Sequence, residues 1–266
     1  MAGLKFSIEI PAGELQQALT MLSAKGGTKP LFTPLKVLVR GSTLLTSTMS
    51  MSGSAFVVGA WKKINSTGDG YFVIDPEVFL SRLSLFSSDE PIHLSCFDDN
   101  HYELFGRHDH VTYYPPDESY CKFHDKLPFK IIDNKLHYMQ GKLAPKSFIK
   151  IDASELAKFP HRASMIGVSY YQFHFSPEGS WGIVGDYLDK KLTPIKTQIS
   201  AMVEGSPLDI TLADSFEEIV NVLQGEWSIS GHPEVDGQGT PPLWLFRKTE
   251  QYQIGYEVSA RMKVAE

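Results

Sequence analysis

The sequence predicts an α+β protein of two similar domains, each with mostly antiparallel strands and two helices, joined by an extended linker. Two observations predict this class. Helix-start signals and apolar landmarks recur in one order in the two halves of the 266-residue chain, and the segments between the helices have the composition of strands. With 42% hydrophobic and 21% charged residues, the chain has the composition of a globular protein of one large or two smaller domains.

Three landmarks define the internal repeat. The segments Ile10–Leu15 and Ile151–Leu156 share Ile, Ala, Glu and Leu at an offset of 141 residues. Two further pairs have nearly the same offset: Asp75–Glu77 with Asp214–Glu217, 139 residues apart, and Phe105 with Phe246, again 141 residues apart. Because the landmarks keep one order and one offset, we interpret them as a duplicated domain.

The first half contains two predicted helices. The second of them begins after Asp75, which can accept a backbone N–H as N-cap, and Pro76 suits the first helical position because its missing donor costs nothing there. Each helix has one apolar face. These faces consist of Leu15, Ala18, Leu19 and Leu22 in the first helix, and of Phe79, Leu80, Leu83 and Phe86 in the second.

The second half repeats this pair of helices with two changes. The helix that starts at Asp152 contains Pro160, which removes a hydrogen bond and clashes with the preceding turn, so we expect it to be short or kinked. The last helix has capping-box spacing between Asp214 and Glu217, and we expect Gly225 to end it in a left-handed conformation. Its apolar face consists of Phe216, Ile219, Val220 and Leu223.

The remaining periodic segments predict strands. In the first half these are Lys36–Val39, Ala55–Trp61, Gly70–Ile74, Ile92–Phe97 and Tyr102–Tyr113. In the second half they are Tyr171–Phe175, Ile195–Val203, Leu208–Leu212, Trp227–Ser230, Leu243–Arg247 and Gln253–Ser259. The uncharged stretch Gly41–Trp61 is long enough to cross a bilayer, but eleven of its 21 residues are Ser, Thr or Gly. We therefore predict two strands around Ser52–Ser54 and a soluble protein.

Charge and proline content divide the chain into an N-terminal domain 1–115, a connector 116–146 and a C-terminal domain 147–266. Their net charges are −2, +2 and −6, which gives −6 for the whole chain. The connector follows Pro115 and has no sustained period, so we expect it to be extended. The net charge excludes a protein that coats itself with nucleic acid through bulk positive charge, although a local basic surface remains compatible.

The sequence contains little that points to catalysis or metal binding. Cys96 and Cys121 are too few for a disulfide framework or a Cys-rich zinc site, and without a secretory signal we expect a reducing cytosolic compartment. The motifs G-x-S-x-G, G-x-x-x-x-G-K-[ST] and G-x-G-x-x-G are absent, so we predict no enzymatic activity and no cofactor. His108 and His110 would face one side of a strand and could bind zinc with a third ligand. Surface histidines at a hairpin are the favoured interpretation, and no metal is predicted.

The order strand, helix, strands, helix, strands, repeated about a linker, resembles that of the two-domain DNA sliding clamps. These include proliferating cell nuclear antigen of eukaryotes and archaea and the processivity clamps of T4-like phages. The resemblance extends from Phe6 to about Met262. Local matches include Ser154–Leu156 followed by Met165–Gly167, and Phe72–Asp75 before a helix. It implies a homotrimeric ring with helices inside and sheets outside, which encircles duplex DNA without reading sequence and serves DNA replication as a processivity factor.

The resemblance also implies a basic lining on the helices, which would hold phosphates weakly. The candidate DNA-binding residues are Lys25, Arg82, Lys158, His161 and Arg162. Gln16 and Gln17 stand where lysines would be usual, and the last helix offers Glu217 and Glu218 without a cation. We therefore expect fewer phosphate contacts than in a typical clamp.

A second implied surface binds short peptides from clients between the domains, under the connector. The candidate residues are Met49, Met51, Leu127, Phe129, Ile131, Pro241, Pro242 and Tyr256. The alternative is that these residues only fasten the linker to the core. The implied partners are duplex DNA, a DNA polymerase and a clamp loader, with no membrane. The compartment would be the cytoplasm of a prokaryote or phage-infected host, or the nucleus of a eukaryote.

The resemblance finally implies head-to-tail closure of the ring. The edge strand at about Arg107–Tyr114 would pair with the strand at about Ile195–Val203 of a neighbouring copy. The candidate interface residues are His108, His110, Val111, Ile195 and Ile199. Histidines at such an edge would make assembly pH-sensitive.

Two other classes of protein are compatible with the sequence. A monomeric processivity factor of the herpesvirus type would share the fold but hold DNA by a strongly basic face, against which the net charge of −6 argues. A β-rich module for protein or carbohydrate binding would use exposed tryptophans: Trp61, Trp181, Trp227 and Trp244. A trimer in sedimentation would favour the ring over both.

Overall fold

The computed structural model describes residues 3–26, 29–122, 129–132, 135–138, 145–167, 170–185, 194–212, 215–233 and 241–260, with the backbone alone between 129 and 138. The chain divides into two compact units. The first comprises Met1–Asp125 and Lys248–Ile254, and the second comprises Lys126–Arg247 and Gly255–Glu266. The predicted domain limits at residues 115 and 147 lie on either side of the division at residue 125.

The first unit contains two helices and the strands that surround them. In chain order these are β1 (Leu4–Pro11), α1 (Ala12–Ser23), β2 (Leu35–Arg40), β3 (Thr43–Met49), β4 (Ala55–Lys62), β5 (Asn65–Ser66), β6 (Gly70–Ile74), α2 (Pro76–Leu83), β7 (Pro91–Phe97), β8 (Tyr102–Phe105) and β9 (His110–Tyr113), followed by a short 3₁₀ helix (Glu118–Tyr120). One sheet has the strand order β5-β1-β7-β8-β9, and elsewhere β4, β3, β2 and β6 lie side by side in that order. The helices α1 and α2 contact each other.

The second unit begins with a hairpin and then repeats the plan of the first. Its elements are β10 (Phe129–Ile132), β11 (Lys135–Tyr138), β12 (Ser147–Asp152), α3 (Ala153–Ile166), β13 (Tyr171–Phe175), β14 (Ser180–Val184), β15 (Ile195–Ile199), β16 (Ala201–Gly205), β17 (Leu208–Leu212), α4 (Ser215–Val220), β18 (Glu226–Gly231), β19 (Leu243–Lys248) and β20 (Tyr252–Val258). The strands β16, β12, β18 and β19 are neighbours in that order, as are β15, β14, β13 and β17. The first residues of β20, up to Ile254, belong to the first unit.

The two units share one topology. The strand order β5-β1-β7-β8 corresponds to β16-β12-β18-β19, and the order β4-β3-β2-β6 corresponds to β15-β14-β13-β17. By the same correspondence β20 is the counterpart of β9. The pairs in both units are antiparallel. The predicted fold class, a duplicated α+β domain with mostly antiparallel sheets, is confirmed.

The predicted helix starts at Asp75 and Asp152 have the expected capping geometry. Asp75 Oδ1 accepts the N–H of Glu77 at 2.9 Å, and Asp152 Oδ1 accepts the N–H of Ser154 at 2.9 Å. The predicted apolar face of α1 is wholly buried. Phe86 lies beyond the end of α2 but is buried in the same core. Capping therefore fixes where α2 and α3 begin, and apolar periodicity determines which face of α1 and of α2 is buried.

Two helix predictions differ from the structure. The expectation that Pro160 makes α3 short is wrong, because α3 runs for 14 residues and Pro160 is itself buried beside Phe159. The Phe159 ring lies 4.9 Å from that of Phe173, so burial of this face offsets the one hydrogen bond that proline lacks. Gly225 does not end α4, because that helix already ends at Val220 and is followed by tight i→i+3 bonds.

Gly225 instead precedes β18 with a φ of 65°. Its carbonyl accepts the N–H of Ala153 at 2.8 Å, so it connects β18 to the start of α3. Asp214, the predicted cap of α4, lies outside the described residues.

The strand predictions differ from the structure at hairpins and in the connector. The run Tyr102–Tyr113 is a hairpin, β8 and β9, and the run Ile195–Val203 divides at Ser200 into β15 and β16, which belong to different sheets. β14 was not predicted. The connector, expected to be extended throughout, contains the β10–β11 hairpin. Its sequence signal is Asp133-Asn134, a turn-forming pair between two short apolar runs.

The large aromatic residues lie mainly in the interiors of the units. Trp61, Trp227 and Trp244 are at most 2% exposed, and only Trp181 of the four tryptophans is half-buried. The alternative of a β-rich module that binds through exposed tryptophans therefore loses three of its four side chains, because Trp61, Trp227 and Trp244 fill the cores. In the described part of the chain, no helix has the length and apolar character needed to cross a membrane.

Candidate DNA, peptide and assembly surfaces

The helical face of the first unit carries few cations. Gln16 and Gln17 on α1 and Arg82 on α2 are exposed. Arg82 lies in the last turn of α2, where the helix dipole favours a positive charge. Lys25 follows the C-cap of α1, Ala24, and is half-buried. Arg82 is therefore the more accessible of the two lining candidates in this unit.

The helical face of the second unit carries three basic side chains on α3. Lys158 and His161 are exposed, and Arg162 is half-buried. Lys158 Nζ donates to Glu155, one turn earlier on the same helix. This bond, together with the Ser200 N–H at 3.0 Å from Glu155 Oε2, lowers the pKa of the Glu155 carboxyl. Lys158 therefore carries a compensated charge.

The acids of α4 are partly withdrawn from solvent. Glu217 and Glu218 are half-buried, and the Tyr171 hydroxyl donates to Glu217 Oε2 at 3.2 Å. Glu217 holds the helix on β13, so at least one of these acids has a structural contact.

Two residues of the predicted peptide surface, Met49 and Met51, lie in the first unit beside the start of the connector. The Met49 N–H donates to the Lys122 carbonyl at 3.0 Å, and Lys122 Nζ donates to the Met51 carbonyl at 2.7 Å. Met49 is half-buried and Met51 is 55% exposed. The chain leaving the first unit is therefore fixed beside two methionines, which are adaptable contact residues.

The other predicted peptide contacts have different outcomes. Pro241 and Pro242 are half-buried immediately before β19. Tyr256 is fully buried and packs on Trp227 with 5.9 Å between the rings, so its assignment to a peptide pocket was wrong. Leu127 lies outside the described residues. Phe129 and Ile131 lie on β10, for which the structure gives the backbone only.

A contact that sequence reasoning missed holds the start of the connector. Lys36 Nζ lies 3.3 Å from Glu118 Oε1 and 4.0 Å from the centre of the Tyr71 ring. A hydrogen bond from the Tyr71 hydroxyl and the bond from Lys36 lower the pKa of Glu118, and the same carboxylate raises the pKa of Tyr71. No sequence signal indicates this cluster, since only the β2–β6 register and the chain path bring the three residues together.

The predicted assembly residues lie at or near two sheet edges. β9 and β15 are each the last strand in their order. His110 is exposed and Val111 half-buried on β9, while Ile195 is half-buried and Ile199 only 4% exposed on β15. His108 lies in the turn before β9, so the prediction that it shares a strand face with His110 was wrong.

Possible metal and nucleophile chemistry finds no support in the geometry. In the described ranges no group of three His, Cys, Asp or Glu side chains could hold a metal ion. Burial raises the pKa of Cys96 to about 12 and that of Cys121 to about 11. Both thiols therefore stay protonated near neutral pH, and a thiol is a poor nucleophile.

The edge of β4 differs from that of its counterpart β15. Within the first unit the Lys62 N–H donates to the Gln251 carbonyl at 2.8 Å, and the Trp61 ring stacks on Tyr252 at 5.1 Å. The chain at the start of β20 therefore lies along β4. For β15 no such strand lies on the outer side in the described part of the chain.

Comparison with known proteins gives matches in structure alone. No family model and no curated protein matches the sequence. Proliferating cell nuclear antigen (PCNA) of A. fulgidus, solved with the C-terminal region of FEN-1 bound, matches with a TM-score of 0.73 at 14% identity, over 98% of this chain and 100% of that one. PCNA of Entamoeba histolytica matches with a TM-score of 0.69 at 10% identity and the same coverage. The chain thus has the fold of the DNA sliding clamps.

Proposed function

We propose that this protein is a DNA sliding clamp without catalytic activity of its own. Three copies close head to tail into a ring around duplex DNA, slide along it and tether a replicative DNA polymerase. The observation that carries the proposal is the pair of sheet edges at β9 and β15. The clamp fold supports it.

The internal repeat gives the physical reason for this pairing. Residues at the start of β20 lie along β4, and β9 and β15 hold the same places in the topology as β20 and β4. Pairing β9 with β15 of another copy would therefore repeat an arrangement that the chain already makes. Because one copy offers both edges, the contact is head to tail and can close into a ring. The number three follows from the resemblance to clamps.

The proposed DNA contacts are weak and do not read sequence. Arg82, His161 and Arg162 are the candidates for phosphate contacts, because Lys158 is already paired with Glu155. A ring needs little affinity, since topology keeps it on DNA, and phosphate contacts alone give salt-sensitive, sequence-independent binding. The net charge of −6 discourages binding on the outside.

The proposed client surface includes Met49 and Met51 beside the fixed start of the connector. A. fulgidus PCNA is solved with the C-terminal region of FEN-1. By analogy, the clients of this chain would dock short peptides here, and a polymerase and a clamp loader are the expected ones. The exposed thioether of Met51 can adapt to different apolar anchors.

Sedimentation equilibrium near pH 8 tests the central proposal. A mass three times the chain mass of 29.7 kDa supports the ring. A mass of one chain over the whole concentration range overturns it and favours a monomeric processivity factor. Anisotropy titrations with linear duplexes of different sequence give the second test. Equal, weak and salt-sensitive affinities are expected, whereas a strong preference for one sequence would contradict the proposal.

A further inference from the structure

We infer that assembly through β9 and β15 is weakened by acid, because His110 and Lys196 occupy the two edges that would meet. The inference rests on the proposed ring and adds a means of regulating it. Its basis is a row of side chains on the outer face of each sheet, which ends at the open edge in both units.

On the first unit the row ends in His110. The register aligns Glu9 with His93, His93 with Phe105, and Phe105 with His110, across β1, β7, β8 and β9. The rings of Phe105 and His110 stack at 4.3 Å with 12° between their planes. His110 is exposed, and its Nε2 lies 3.8 Å from Glu103 Oε1. The imidazole is thus held flat at the edge with one carboxylate beside it.

On the second unit a row of the same residue types ends in Lys196. His174 Nδ1 lies 2.9 Å from Asp209 Oδ1, and the His174 ring stacks on Trp181 at 5.1 Å. Lys196 Nζ lies 4.1 Å from the centre of the Trp181 ring. Lys196 is exposed on β15. Both rows therefore run from an acid through a histidine and an aromatic ring to a basic group at the edge.

Pairing the two edges would bring the ends of the rows onto neighbouring strands, which lie about 5 Å apart in a sheet. With His110 uncharged, the end of the first row carries the negative charge of Glu103, whose Oε1 lies 3.8 Å from His110 Nε2, and this charge would attract Lys196. Histidine is the side chain that gains a proton between pH 8 and 5. A protonated His110 would compensate Glu103 and repel Lys196, so the interface would weaken.

Among the other ionisable groups around His110, His101 acts in the same direction. His101 Nε2 lies 3.6 Å from Glu103 Oε1, and its Nδ1 lies 2.5 Å from Asp99, so its protonation would also compensate Glu103. Arg107 and Asp109 in the adjoining turn carry opposite charges. The remaining groups are His108 in that turn, His93 two strands from the edge, and, across the interface, His174 with Asp209.

The test is the concentration dependence of assembly, measured by sedimentation at pH 8 and pH 6. For the native chain we expect the dissociation constant of each interface to be about threefold to tenfold higher at pH 6 than at pH 8. His110→Gln and, independently, Lys196→Gln should remove most of this pH dependence. His93→Gln is the matched control, because it removes an exposed histidine from the same row but away from the edge, and it should retain the native pH dependence.

The outcomes separate this inference from the proposed ring. Equal assembly of the native chain at both pH values overturns the switch and leaves the ring intact. A pH dependence that survives in His110→Gln, or that is lost in His93→Gln, also overturns it. A single-chain mass already at pH 8 overturns the ring, and the switch with it. Circular dichroism at both pH values checks that each variant is folded, which we expect because the three side chains are exposed.

Discussion

The strands β4 and β15 hold the same place in the repeated topology but meet different surroundings. Trp61 of β4 is fully buried against Tyr252, and Gly59 leaves room for Leu22 and Ile254, which a Cβ at that position would meet at 2.2 and 3.4 Å. β15 presents Lys196 and Gln198 to solvent. In the repeated sheet, β4 therefore has buried side chains that pack against a segment of its own chain, whereas β15 has exposed polar side chains at an open edge.

The largest expected effect is at the covered edge. Trp61→Ala should lower the free energy of unfolding by about 3–5 kcal/mol, because it leaves a cavity beside Tyr252 in a fully buried site. Urea or guanidinium unfolding followed by circular dichroism measures this. Trp181→Ala, at the half-buried tryptophan of the open-edge sheet, is the control and should cost roughly 1 kcal/mol. Equal losses in the two variants would remove the distinction between the edges.

The second-largest effect is expected at the open edge of β9, and it should change the association of the copies more than the stability of each copy. The Gly106 N–H donates to the Asp109 carbonyl at 2.9 Å, and the register continues through Leu104–Val111 to Glu103–Thr112. Because hydrogen-bonded and non-hydrogen-bonded pairs alternate in an antiparallel ladder, Thr112 directs its N–H away from β8. Proline at Thr112 therefore removes a donor from the open edge without breaking the hairpin.

Thr112→Pro should raise the concentration needed for assembly by a factor on the order of 100, while the unfolding free energy changes little. Sedimentation equilibrium and denaturant unfolding measure the two quantities separately. Thr112→Val keeps the N–H and should assemble normally. A trimer that persists in the proline variant would exclude β9 from the interface.

The sequence alone was sufficient to predict the elements that are determined by interactions between residues close together in the chain. Caps at Asp75 and Asp152 and the apolar face from Leu15 to Leu22 predicted helices, because these signals act within a few residues. The repeat then predicted a duplicated domain, while the strand order of the sheets came from the structure. Pro160 misled because its effect depends on burial of the neighbouring Phe159 against Phe173, a contact between residues far apart in sequence.

For the candidate site, the sequence predicted which residues lie on the exposed helix faces better than it predicted which contacts their side chains make. Arg82 and His161 are exposed as expected, but the pairing of Lys158 with Glu155 and the burial of Tyr256 depend on rotamers and packing. The cluster of Lys36, Tyr71 and Glu118 could not be predicted, because ordinary polar residues meet there through sheet register and the path of the chain. Edge position likewise follows from strand order and has no local signature.

A third prediction concerns Glu257, on the part of β20 that belongs to the second unit, and gives the fold the opposite response to pH from the open edge. Burial raises the pKa of Glu257 from 4.5 to about 7. The folded chain therefore binds this proton more tightly than the unfolded chain does, so the contribution of Glu257 to stability is complete below about pH 4.5 and is lost as the pH rises through about 7. The loss should be about 1–2 kcal/mol, since the side chain is only partly buried.

Glu257→Gln should remove that slope, which unfolding curves between pH 5 and 8 would measure. Thus acid should stabilise the fold while it weakens association through His110. A native chain whose unfolding free energy rises with pH over this range, or a glutamine variant that retains the native slope, would contradict the role of Glu257.

The smallest effects should come from the helical cations, which belong to neither edge. Arg82→Gln should reduce the slope of log affinity against log salt for duplex DNA by about one, as expected for a lost phosphate contact. The double variant Glu155→Gln with Lys158→Gln removes a compensated pair, so its slope should stay close to that of the native chain. Neither variant should change the sedimentation mass. Arg82→Gln should move the unfolding free energy by no more than about 0.5 kcal/mol, because Arg82 is exposed on the polar face of α2. If the paired double variant loses as much salt dependence as Arg82→Gln, Lys158 contacts DNA in spite of Glu155, and the lining of the second unit is more basic than its internal pairing indicates.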